Sequence, residues 1–158
     1  MLRAALFSFL IVTSIVSNGF SQDSTFEEVL PGRVLTFPKD HGKHQETQTE
    51  WWYFTGNLDS KDNQWGFQLT FFRRSMLKEK AFKESAWGVR DMYPAHFAIT
   101  DVTGRRFFHS EIISREGPGL AQAKDDDLNV YVKNWQAYRD GQTIKLYAVE
   151  GPYRIELS

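Results

Sequence analysis

From Glu50 onward apolar and polar residues alternate along short segments, and a two-residue period of that kind suits β-strands and little else. The segments are "EWWYFTGNL", "NQWGFQLTFFR", "AHFAITDV", "RRFFHSEII", "LNVYVKNWQAY", "QTIKLYAVE" and "PYRIELS". All are rich in the aromatic and β-branched residues that fit a pleated surface. The stretches between them, "DSKD", "VTG", "DG" and "EGP", have the chemistry of short hairpin turns. Two longer interruptions carry no such period. "RSMLKEKAFKESAWGVRDMYP" is compatible with a short amphipathic helix, and "SREGPGLAQAKDDD" reads as a flexible loop. With no βαβ alternation and no internal repeat, the class expected is all-β and mainly antiparallel.

Parity sharpens the reading of the first two strands. Glu50, Trp52, Phe54, Gly56 and Leu58 share one face, as do Trp65, Phe67, Leu69, Phe71 and Arg73 on the next strand. Matching those faces across a hairpin requires an even loop. A four-residue loop, "DSKD", sets Phe54 opposite Phe67 and Trp52 opposite Leu69, with Glu50 diagonal to Arg73. A six-residue loop sets Glu50 directly opposite Arg73. Either way a carboxylate and a guanidinium meet at one end of an apolar face.

The first residues belong to a different kind of segment. Arg3 precedes the apolar run "AALFSFLIVTSIV", which is short for a bilayer span, and "SNGFSQ" then suits signal-peptidase cleavage. Residues 1–21 therefore read as a signal peptide rather than an uncleaved anchor, residues 22–39 as a polar lead-in, and 40–158 as one domain. Export, to the periplasm or the outside, and no stable membrane span are expected. The chain has no cysteine, so disulfides cannot stabilise the exported domain, and that task falls to a core drawn from a chain that is 15% aromatic. A net charge of −1 with scattered basic residues offers nucleic acid no electrostatic footprint. "PYRIELS" alternates to the last residue and leaves an open strand edge, which suggests a domain truncated at its C-terminus.

In order and spacing, "FPKDHGKHQETQTEWWYFTGNL", "WGFQLTFFR", "AHFAITD", "NVYVKNWQAY" and "KLYAVEGPYRIELS" resemble the N-terminal half of the AttH and CrtC-like family, from about Leu30 onward. That family covers predicted secreted hydrolases and carotenoid 1,2-hydratases. The resemblance implies an antiparallel lipocalin- or calycin-like β-barrel, the first of two, with a second lipocalin-like domain as its partner. It also implies an isoprenoid- or lipid-like substrate and acid/base chemistry of the hydratase or hydrolase type. A non-enzymatic carrier of apolar ligands needs the same cavity without the chemistry.

Glu50 is the first candidate for catalysis, because a carboxylate on an apolar wall holds its proton more tightly and can pass it on. A nearby Arg73 favours the ionised form instead, and the pair then reads as a ligand-positioning or structural ion pair. His96 in "HFAITD" is the second candidate, as a histidine able to shuttle a proton near neutral pH. Trp52, Phe54, Phe67, Arg73, His41 and His44 are the expected ligand contacts. Asp40, His41 and His44 have workable metal spacing, but the intervening glycine points to a polar strand entrance, and neither metal nor organic cofactor is expected. Asp101 ahead of Gly104 reads as a turn cap. No nucleophile elbow, phosphate loop or HExxH occurs.

Overall fold

The computed structural model of the chain describes residues 26–28, 30–76 and 89–158. The expected signal peptide and most of the segment with helical promise lie outside them. The described residues form nine strands: β1 (Thr49–Ser60), β2 (Asn63–Ser75), β3 (Asp91–Asp101), β4 (Arg106–Arg115), β5 (Ala121–Ala123), β6 (Asn129–Val132), β7 (Trp135–Asp140), β8 (Thr143–Glu150) and β9 (Tyr153–Leu157). A 3-10 turn, Lys39–His41, precedes them. β1 to β4 make one antiparallel meander and β5 to β9 a second.

The fold is all-β, and its two sheets face one another across a shared core. Leu69, Phe71, Tyr93, Phe97 and Ile99 supply one side, and Val130, Val132, Trp135, Leu146 and Ile155 the other. Phe97 meets Trp135 edge-on at 5.6 Å between ring centroids. No ladder joins the two meanders among the described residues, so they stand as two open sheets rather than one closed cylinder. At the passage between them, an isolated bridge from Gly117 to Ala121 turns the chain from one sheet to the other.

The β1–β2 hairpin keeps the expected parity in the second of the two registers considered. Glu50 lies directly opposite Arg73, Trp52 opposite Phe71 and Phe54 opposite Leu69. Pairing continues out to Ser60 and Asn63, so the connection is the two-residue turn Lys61–Asp62 and not a loop of four or six. β3 starts earlier than the sequence pattern indicated, at Asp91, and runs through Pro94. Pro94 pairs with Ile113 of β4, while the ladder to β2 has a gap beside it, as expected of a residue without an N–H.

Two features of the second sheet depart from the sequence reading. "LNVYVKNWQAY" is two strands, turned at Lys133 and Asn134 with Lys133 at φ +54. The reason is visible in burial: Val130 and Val132 are inward on even numbers, Trp135 and Ala137 on odd ones, and a single strand cannot do both. Part of the expected flexible loop is β5, which holds Ala121 and Ala123 in the core.

Candidate functional site

Residues 33–47 have no regular structure beyond one 3-10 turn, so their course must be fixed by side chains. His44 does much of this. Its backbone N–H is shared by both oxygens of Glu50 at 2.9 and 3.0 Å. Its ring lies between two carboxylates, with Nδ1 3.0 Å from Glu50 Oε2 and Nε2 2.9 Å from Asp40 Oδ1. A ring protonated on both nitrogens satisfies both contacts, whereas a neutral ring satisfies one.

Below His44 lies Arg73, 1% exposed. Its Nε donates to Glu50 Oε1 at 2.7 Å, Nη1 to Asp91 Oδ1 at 3.2 Å, and Nη2 to the carbonyls of His44 and Thr47, both at 2.7 Å. β1, β2 and β3 place these groups in register, and the guanidinium fork ties the irregular segment to all three. Asp91 Oδ2 then faces Arg90 Nε at 3.5 Å, and Arg90 donates to Glu116 at 2.8 Å. Lys43, also buried, reaches Glu116 at 3.3 Å and Asp125 at 3.6 Å. The result is a continuous ionic chain from the entrance segment to the loop after β5. Gly42 seats the segment against that loop: a Cβ there would lie 2.5 Å from the carbonyl of Asp125. Asp40 is held down to a pKa of about 2, first by the Thr36 N–H and then by His44, with Arg33 adding attraction.

Above this frame, along the free edge of β1, lies a cleft of about 360 Å³. Its walls are Trp51, Trp52, Tyr53 and Phe54, four consecutive aromatics, with Leu128 and Ile144 from the second sheet. Its polar rim is Asp40, His41, His44 and Glu50. Successive strand residues ordinarily face opposite ways, and all four contribute here because β1 is an edge strand and the cleft wraps that edge. Trp52 is fixed by donating Nε1 to the carbonyl of His41 at 2.8 Å. A volume of this size falls within the range of small-molecule sites. The hollow bounded by Trp65, Phe108 and Tyr153, about 10 Å³, has room for little more than a water.

Of the residues singled out in the sequence, His41, His44, Glu50, Trp52 and Phe54 meet at this cleft. Arg73 lies beneath it. Phe67 packs over Gly56 and against the core. His96 is elsewhere, on the outer face of the first sheet, 3.7 Å from Glu111 and against the ring of Phe72. Asp101 caps the β3–β4 turn through Gly104 N–H at 2.6 Å and holds Arg106. Among the described residues no group of three or more His, Asp, Glu or Cys is arranged to hold a metal ion. The contributions of Asp91, Lys43, Thr47, Leu128 and Ile144 were not singled out. Only Asp91 left a signal, the parity it shares with Tyr93, Phe97 and Ile99 once β3 is extended past Pro94.

A family model described as AttH-like matches residues 28–158. The chain belongs to the AttH-like family. A crystal structure of an AttH candidate from Nitrosomonas europaea aligns with this AttH-like chain at a TM-score of 0.68 and 27% identity, covering 83% of this chain and 39% of that one. The chain thus corresponds to well under half of that protein's length. No curated protein matches it.

Proposed function

We propose that this AttH-like chain binds an apolar small molecule, isoprenoid- or lipid-like, in the cleft along β1. The observation that carries the reading is the wall of four consecutive aromatics beside a polar rim, since an aromatic cleft open to solvent is costly to leave empty. The exposed edge of β1 further supports a lipocalin-like barrel that a second domain completes, and the greater length of the Nitrosomonas europaea relative is in keeping with that. Arg3 and the apolar run after it support export. Between chemistry and simple carriage, the rim favours carriage in one respect. The Glu50 oxygens already accept from His44 and Arg73, and those of Asp40 from Arg33, Thr36 and His44, so neither carboxylate is idle. Hydratase or hydrolase chemistry led by a rim carboxylate would need one with a free position.

The test is extraction of the purified protein and mass spectrometry of whatever apolar molecule accompanies it, followed by tryptophan-fluorescence titration with that molecule. Quenching lost in Trp52→Ala with the fold retained supports the reading. A protein that carries nothing and binds no lipid or isoprenoid in titration refutes it.

A further inference from the structure

We infer that His41 is the residue that contacts the polar atom of the bound molecule, and that the cleft therefore selects apolar molecules carrying one hydroxyl or carbonyl over plain hydrocarbons. This rests on the apolar-ligand reading above.

Among the polar rim residues Asp40, His41, His44 and Glu50, the unfilled side-chain hydrogen-bonding positions gather on one residue. Both ring nitrogens of His44 face carboxylates, and Arg73 is committed on Nε, Nη1 and Nη2. The oxygens of Glu50 and Asp40 are occupied, as shown above. His41 differs. Its backbone is engaged, N–H to the Pro38 carbonyl at 2.9 Å and carbonyl to Trp52 Nε1 at 2.8 Å, so the residue is held in place. Its ring packs against Phe37 at a tilt, with centroids 4.4 Å apart, while neither ring nitrogen makes a hydrogen bond among the described residues. The nearby Asp127 carboxylate is already taken by Arg139 at 2.8 and 2.6 Å and by the Leu128 N–H. A half-buried imidazole with a fixed backbone, a ring packed against Phe37 and two unfilled positions thus stands on the polar rim of a cleft walled by aromatic and aliphatic residues. A neutral imidazole offers one donor and one acceptor, which suits a hydroxyl in either sense and a carbonyl in one. A hydrocarbon fills neither position and leaves the ring to be desolvated without compensation.

The test uses the purified full chain and two probes of matched length, 1-decanol and decane, with affinities read from tryptophan fluorescence. The expected result is tighter binding of 1-decanol by roughly fivefold or more, the weight of one net hydrogen bond. In His41→Phe, which keeps an aromatic ring beside Phe37, that preference should collapse to about unity, with 1-decanol losing affinity and decane, freed from desolvating an imidazole, binding at least as well as before. His41→Gln, with a donor and an acceptor of its own, should restore part of it. Equal affinities for the two probes in the unmodified protein would overturn the role of His41 and leave the apolar site standing, as would a preference that survives in His41→Phe. Binding of neither probe would overturn the site and the inference together.

Discussion

Replacing Arg73 with alanine should be among the most damaging single changes in the chain. The side chain is 1% exposed and holds Glu50 at 2.7 Å, Asp91 at 3.2 Å and two carbonyls at 2.7 Å. Removing it leaves Asp91, itself 1% exposed, with only the more distant Arg90 for compensation. Breaking a buried ion pair from one side costs about 3–5 kcal/mol, because the remaining charge stays buried. His44 and Thr47 are only partly buried, so the loss of the bonds to their carbonyls adds less than a full buried-group penalty. The expectation is about 4 kcal/mol, a large part of the 5–15 kcal/mol typical of a domain. With a urea slope of about 2 kcal/mol/M the midpoint falls by about 2 M. Arg73→Lys keeps the charge but cannot reproduce the fork, and should lose about half as much. Both are measured by urea denaturation followed by far-UV circular dichroism. A loss below about 1 kcal/mol for Arg73→Ala would refute the view that this guanidinium ties the entrance segment to three strands.

Asp40, held at a pKa of about 2 against an ordinary 3.8, binds protons more readily unfolded than folded, so its share of stability is present above pH 3.8 and disappears as pH falls toward 2. Asp40→Asn should flatten that part of the acid-unfolding profile, read as the difference in urea midpoint between the two proteins from pH 2 to 6. In Gly42→Ala the new methyl meets backbone of Asp125 and Asp126 at 2.5 to 2.7 Å, which cannot swing aside, and a loss of about 1–3 kcal/mol is expected on thermal unfolding. Trp135→Ala should cost about 3–5 kcal/mol by the same assay, since the ring is fully buried, packs on Phe97 and donates to the Val149 carbonyl.

The sequence revealed most where period and burial coincide. Along β1 and β2 the alternating aromatics faced one way, which left only even registers, and the Glu50–Arg73 pair followed in one of them. It revealed less where short polar stretches decide. A two-residue turn at Lys61 and Asp62 is invisible when "DSKD" as a whole looks like turn chemistry. β5 was hidden because Ala121 and Ala123 have little intrinsic strand preference and are drawn into the core by the sheet beside them. The parity change between Val132 and Trp135 was present in the letters, yet Lys133 and Asn134 carry no glycine to mark the turn. The site was half legible. His41, His44 and Glu50 are close in sequence and were found together, but the partners that immobilise them, Arg73 apart, are Asp91, Thr47 and Glu116, brought in by pairing and by loops. His96, attractive for its residue type, sits on the outer face of the first sheet, away from the cleft.

That arrangement bears on how substitutions at the rim should be interpreted. Residues 33–47 form no ladder with either sheet, so the ionic bonds of Asp40, Lys43, His44, Glu50 and Arg73 are what the segment has in place of one. Any ligand-binding defect from Glu50→Gln or His44→Ala would arise equally from a displaced segment, because Trp52 is anchored to the carbonyl of His41 within it. His41 escapes this ambiguity, since its anchoring runs through its backbone, which His41→Phe leaves unchanged. A change in ligand preference at that position, with the urea midpoint unmoved, therefore separates contact with the ligand from support of the fold in a way that no carboxylate of the rim can.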